Sequence, residues 1–150
     1  MRKTVARFAL LIALVNPGLT LACGQTASGD AAQDVLVAYE ALARALVGDD
    51  LAGARRESTR LAEIARTAGQ DQIARHAVEL TSSDSLDSAR EHFKAISAET
   101  IRLVEGREGY YVMTCPMVQA DWVQSSKQVA NPYMGQKMVS CGTIKQPRES

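Results

Sequence analysis

The chain has little of what enzymatic and nucleic-acid chemistry usually draws on. Among 150 residues there are two histidines, His76 and His92, and three cysteines, Cys23, Cys115 and Cys141. No Cys-x-x-Cys pair, glycine-rich phosphate loop or nucleophile motif is present, so no catalysed reaction is expected and no small-molecule substrate is evident. Basic residues are not in excess: 17 Lys+Arg stand against 17 Asp+Glu. A nucleic-acid partner would leave a basic footprint, and none is seen. The apolar run Phe8 to Val15 is too short to cross a bilayer.

What is present begins with an export signal. Arg2, Lys3 and Arg7 precede the apolar run, and Leu19-Thr20-Leu21-Ala22-Cys23 follows it with small-residue cleavage character. Residues 1–22 read as a signal peptide. Cleavage before Cys23 suits a lipoprotein whose cysteine becomes the acylated N-terminus and membrane anchor, although Thr20 stands where leucine is commoner. The simpler alternative is secretion with Cys23 left as a free thiol. Both readings put the protein outside the cytoplasm, on the periplasmic face of a bacterial envelope. Gly24 rather than Asp after Cys23 points to the outer membrane by general sorting rules. Loss of Arg2, Lys3 and Arg7 from the 17 basic residues leaves 14 against 17 acidic ones, a balance of −3.

Residues 23–32 are small and polar and read as the lipidated cysteine with a flexible tether. Residues 33–145 form the folded domain, and 146–150 a polar tail. The domain is expected to be mainly α: a four-helix bundle with a small C-terminal cap made of a short β segment and a short helix. Val35, Tyr39, Leu42 and Leu46 share one helical face that ends at Gly48-Asp49-Asp50. Leu51, Ala54, Leu61, Ile64 and Ala68 mark a second helix ending near Gly69. Ile73, Ala77 and Leu80 mark a third, broken at Thr81-Ser82-Ser83. The fourth, capped by Ser83 or Asp84, carries Leu86, Ala89, Phe93, Ile96, Thr100 and Leu103 at bundle spacing and stops at Gly106. Arg55, Arg56, Arg60 and Arg66, interleaved with Glu57 and Glu63, read as a solvated face.

After Gly109 the character changes. Tyr110 to Thr114 is β-prone and Pro116 ends it. Asn131 as N-cap with Pro132 at the first helical position predicts a short helix through Met138 towards Ser140. On such a helix Met134, Met138 and Cys141, spaced i, i+4, i+7, lie in one stripe at about 100° per residue. In the extended segment Met113, Cys115 and Met117 alternate onto one side.

Two Cys and four Met within Met113 to Cys141 are thiolate and thioether donors, which select Cu(I) over hard cations. The candidate metal site comprises Cys115, Met117, Met138 and Cys141, with Met134, Met113 and His92 as further candidates. Its metal is copper as Cu(I), or silver. Against it stand ordinary roles: methionine is a common core filler beside aromatics, and an isolated helical histidine is usually a satisfied surface residue. Cys115 and Cys141, 26 apart in an exported protein, also suit a disulfide that stabilises the fold by about 3–4 kcal/mol. Disulfide and two-thiolate site exclude each other in one molecule, although the pair could switch between them.

Arg90-Glu91-His92-Phe93, Ser97, Cys115-Pro116-Met117, Trp122 and Asn131-Pro132-Tyr133-x-Gly135-x-x-Met138-x-x-Cys141-Gly142 together resemble a bacterial domain family of unknown function. That family occurs as small exported lipoproteins and as C-terminal extensions of periplasmic adaptor subunits of heavy-metal efflux pumps. The resemblance runs from Tyr39 to Ile144 and is most specific in the last third. Tyr111 to Met117 is also similar to the Tyr-x-Cys-Pro-Met of small heavy-metal-binding domains in those adaptors. The resemblance implies a helical bundle closed by a Cys- and Met-bearing end that binds copper, with Cys115, Met117, Met138, Cys141 and His92 as site residues. Met134 does not carry over, so it is an extra thioether or packing.

The expected function is soft-metal sequestration or delivery to a heavy-metal efflux system. The alternative is a structural or interaction module of the envelope held by a Cys115–Cys141 disulfide.

Overall fold

A computed structural model describes residues 30–145. The expected signal peptide, Cys23, the first part of the expected tether and residues 146–150 lie outside the described residues. The chain folds as α1 (Asp30–Val47), α2 (Leu51–Thr67), α3 (Asp71–Thr81), α4 (Leu86–Leu103), β1 (Tyr111–Cys115), β2 (Ala120–Gln124), a 3-10 turn (Gly135–Lys137) and β3 (Thr143–Ile144). This is the helix-dominated architecture with a small cap that the hydrophobic periodicity predicts. Among the described residues no helix is long and apolar enough to cross a membrane.

The helices form where apolar residues recur at helical spacing, and α1, α2 and α4 are followed by left-handed residues, Asp49, Gly69 and Gly106. Val35, Leu36, Tyr39, Leu42 and Leu46 of α1 are completely buried. Asp50 caps α2 by accepting the Gly53 N–H at 2.8 Å. Ser85, rather than Ser83 or Asp84, caps α4 through the Ser88 N–H. Ser83 is buried, and its carbonyl accepts from Arg55 of α2. Arg55 is therefore a tie between α2 and the α3–α4 connection and not part of a solvated face. Arg56 and Arg60 do lie on that exposed face, paired loosely with Asp50 and Glu57. Helix α1 also starts earlier than expected, with Asp30 to Ala32 helical and not tether.

The three strands form an antiparallel sheet in the order β2-β1-β3. Strand β2 was not anticipated, because Ala120-Asp121-Trp122-Val123-Gln124 is too short and mixed to announce itself. It packs on α4, and its outer edge faces α1. There the ladder groups that no strand pairs are taken by side chains. Tyr39 Oη accepts the Val123 N–H, Glu40 accepts the Ser125 N–H, and Tyr133 Oη donates to the Asp121 carbonyl. An edge that would otherwise invite another strand is closed by α1 and by Tyr133 of the cap.

Four aromatic rings run through the junction of bundle and cap. Tyr39 stacks on Phe93 at 5.1 Å, Phe93 meets Tyr133 at 5.7 Å, and Tyr133 meets Trp122 edge-on at 6.0 Å. The two phenols converge on Ser97 of α4, at 2.8 Å from Tyr39 and 3.2 Å from Tyr133. Ser97 thus joins α1, α4 and the cap within a buried hydroxyl network. Burial drives the ionisation of both phenols far above the ordinary tyrosine range, so they remain neutral donors. Ser97→Ala leaves two buried hydroxyls short of a partner and is expected to lower stability by about 1–3 kcal/mol. Urea denaturation checks this, and an unchanged midpoint would mean the network does not bear on stability.

Candidate metal centre

The cap is fixed to the bundle before its sulfur atoms are placed. Arg90 of α4 donates from Nε to the Pro132 carbonyl at 2.9 Å and from Nη2 to the Leu46 carbonyl at 3.1 Å, and it pairs with Asp49 at 2.5 Å. The other Asp49 oxygen accepts the Gln136 N–H, and the Gln136 side chain donates to the Val47 carbonyl. Gly135 lies against this clamp with φ +55°, and a Cβ there would collide with the Asp49 carboxylate and the Arg90 guanidinium.

That glycine decides the cap's local structure. Asn131 does begin a helical turn: its Oδ1 accepts the N–H groups of Tyr133 and Met134, at 2.8 and 3.2 Å. The turn cannot propagate through a left-handed residue, so the expected helix from Asn131 towards Ser140 reduces to the 3-10 turn Gly135–Lys137. The stripe of Met134, Met138 and Cys141 on one helical face is consequently not formed.

The sulfur atoms meet by another route. β1 delivers Cys115 to the core, fully buried, and the segment between the 3-10 turn and β3 delivers Cys141, partly exposed. The two thiols are unbonded, with their Sγ atoms 2.9 Å apart. Cys141 Sγ is also 3.6 Å from Met117 Sδ, on the exposed turn after β1. Asn131, completely buried and 10 residues from Cys141, holds the pair together: its Nδ2 donates to the Cys141 carbonyl at 2.6 Å, and its side chain also reaches Cys115 Sγ. On the other side of Cys141, Gly142 (φ +138°) lies so close to Trp122 that a Cβ would come within 2.7 Å of the indole.

Burial pushes the Cys115 thiol up. Hydrogen bonds from Cys141, from the backbone N–H groups of Val118 and Met117 and from Asn131 outweigh it, and together they hold Cys115 below the ordinary thiol value. Cys141 moves the other way, raised chiefly by its hydrogen bond to Cys115. The thiolate is the form that binds metal, and of the two cysteines Cys115 is the one whose surroundings favour it.

The remaining candidates are elsewhere or uncommitted. Met113 is fully buried, paired in register with Trp122 and Ile144, and is a core residue. Met138 is exposed and meets the site through its backbone, its carbonyl accepting the Cys141 N–H at 3.0 Å. Met134 is half-buried, and its N–H is taken by Asn131. His92 faces Glu79 of α3 at 3.7 Å, beside His76, which bonds the same carboxylate at 2.9 Å. Asn131 is the residue whose role the sequence hid: its capping preference was legible, its bonds to both cysteines were not.

The donor chemistry fits a soft monovalent ion. Among the described residues no group of three or more His, Cys, Asp or Glu is placed to hold a metal. The further donor beside the two cysteines is the thioether of Met117, 3.6 Å from Cys141 Sγ. Hard cations require six or more oxygens, and structural zinc requires four N, S or O ligands. Two thiols and one thioether match neither and match Cu(I) or Ag(I).

A family model described as Protein of unknown function (DUF3347) matches residues 35–109. The chain belongs to this family. The DUF3347 match takes in the helices from Val35 onward and ends just before β1, so the sulfur-bearing cap lies beyond it. No match was found among curated proteins or among solved structures. Within the DUF3347 stretch lie Tyr39, Glu40, Asp49, Arg90 and Ser97, by which the bundle grips the cap.

The Arg90–Asp49 clamp has a pH signature. The Arg90 hydrogen bond, followed by the Gln136 N–H, holds the Asp49 carboxyl below its ordinary value. A depressed carboxyl stabilises the fold above the unfolded-state value of about 3.9 and loses that contribution as pH falls through the native one. Stability should thus be flat with respect to Asp49 down to about pH 4 and fall below it. Urea midpoints from pH 7 to pH 3, compared with Asp49→Asn, check this: the variant should lose less below pH 4.

Proposed function

We propose that this DUF3347 protein binds Cu(I) or Ag(I) at Cys115, Cys141 and Met117. The observation that supports this reading is that Cys141 Sγ lies 2.9 Å from Cys115 Sγ and 3.6 Å from Met117 Sδ, across 26 and 24 residues of chain. Around metal at about 2.3 Å from sulfur, two tetrahedrally placed thiolates lie roughly 3.8 Å apart. Opening the pair by about 1 Å is a rotamer-scale change at the partly exposed Cys141, against a Cys115 that is held in place.

The export signal in the sequence goes with this reading, in which the chain is lipid-anchored through Cys23 on the periplasmic face of the envelope, at the outer membrane. Its role is sequestration of the metal or its delivery to a heavy-metal efflux system, with no reaction catalysed. Met138, Met134 and His92 are not needed for the first contact with metal.

A second reading has its own observation. Sγ atoms 2.9 Å apart also suit a pair that oxidises to a disulfide, which would make the cap a structural or interaction module. Thiol counting on the unreduced, anaerobic protein, followed by Cu(I) titration against a competing chelator, separates the two. Two free thiols that become protected as one copper binds support the metal site. No free thiols, with no copper uptake after reduction, leaves the structural disulfide.

A further inference from the structure

The three sulfur atoms are arranged in order of exposure. Cys115 is completely buried, Cys141 is partly exposed, and Met117, at 64%, is the most exposed of the large apolar residues among those described. The distances set the same order: Cys141 touches both neighbours, at 2.9 Å to Cys115 and 3.6 Å to Met117. The inner end is closed. Cys115 lies against the Asn131 side chain and the N–H groups of Met117 and Val118. The Gly142 backbone, next to Cys141, is packed on the indole of Trp122.

We propose that Met117 is the port of this site: metal enters and leaves through its thioether, and Cys115 is the closed end. This inference rests on the metal-binding reading above. A thioether is neutral and releases no proton when it takes a soft ion, so it suits brief capture. A cysteine thiol must give up its proton to solvent on binding and, as the thiolate, then holds the metal more firmly. An incoming ion meets Met117 Sδ first, passes to Cys141 and settles between the two cysteines. Release runs the same path backwards. A protein that exchanges metal with this site must therefore bring its own thioether or thiolate to the Met117 face, on a segment that protrudes, because the Cys115 side is filled by the core.

The test is kinetic. Aqueous Ag(I) is mixed with the reduced, full protein, and a small thiol in excess later removes it, each followed by fluorescence of Trp122, the only tryptophan and a neighbour of Gly142. Met117→Leu keeps the size of an exposed side chain and removes its sulfur; circular dichroism confirms that it folds. The expected result is that loading slows by roughly tenfold or more, at least in proportion to the affinity that the lost thioether costs, so that release is no faster than in the wild type. Weaker affinity with faster release would overturn the proposal and make Met117 an ordinary resting ligand. Unchanged rates would overturn it too. Wild-type protein that takes up no Ag(I) after reduction fails earlier, at the metal-binding reading itself.

Discussion

Cys115→Ser is expected to abolish soft-metal binding while leaving a folded protein. The serine hydroxyl fits the space of the thiol and still has the N–H groups of Met117 and Val118 and the Asn131 side chain as partners. Folding is therefore spared. Binding is not, because a hydroxyl is a hard, protonated donor where a soft thiolate is required. Removing a group that merely supports a ligand costs roughly 10–100-fold in metal affinity, so loss of the ligand itself should exceed about a hundredfold. Cys141→Ser should act in the same way. Equilibrium competition with a Cu(I) chelator measures both variants, and retention of wild-type affinity by either one would remove the cysteine pair from the site. The same variants address the disulfide reading. If the pair is a structural bridge, each should cost about 3–4 kcal/mol of stability under oxidising conditions, and metal should be irrelevant.

Asn131→Ala is expected to damage both fold and site. Its Oδ1 serves two backbone N–H groups, its Nδ2 serves the Cys141 carbonyl, and its side chain also reaches Cys115, all without exposure to water. Truncation leaves several buried groups unpaired, and at about 1–3 kcal/mol for each one truly stranded the total should be roughly 2–4 kcal/mol after local relaxation. Asn131→Asp separates the two roles. A carboxylate still accepts from Tyr133 and Met134 but donates nothing to Cys141 or Cys115, and it sets negative charge beside the thiolate. It should keep more stability than the alanine variant while losing about 10–100-fold in Cu(I) affinity, the usual effect of a supporting residue. Urea midpoints and chelator competition on the two variants provide the check. Equal affinity in Asn131→Asp and wild type would leave Asn131 a structural residue only.

Why Asn131 and Gly135 matter so much follows from their position between two kinds of structure. Arg90, Asp49 and Gln136 bind the cap to the bundle on one side of Gly135. Asn131 binds the cap to the cysteines on the other. A residue with a Cβ at 135 would push these apart, so the register of the whole segment from Asn131 to Cys141 depends on one left-handed glycine. Arg90 and Ser97 belong to the DUF3347 match, whereas the sulfur atoms they help to place lie beyond it. The bundle can thus be read as a mount whose α4 face presents the cap.

The amino-acid sequence by itself determined the four helices, their apolar faces and most of their ends. Helical hydrogen bonds join residues four apart, so the spacing of Val35, Tyr39, Leu42 and Leu46, or of Leu86, Ala89, Phe93 and Ile96, carries the needed information locally. It also drew attention to Cys115, Met117, Met138 and Cys141, with Met113 and Met134 beside them, because sulfur donors crowd into the segment from Met113 to Cys141. Tertiary structure alone decided the rest. Strand β2 exists because β1 pairs with it and because Tyr39, Glu40 and Tyr133 take its outer edge. The Asn131 turn stops at Gly135 because the Arg90–Asp49 clamp, 45 and 86 residues away in the chain, occupies the space a Cβ would need. Met113 turned out to be core, and His92 a partner of Glu79, for the same reason. Which sulfur atoms meet depends on contacts across 24 and 26 residues, and no local pattern encodes a contact of that span.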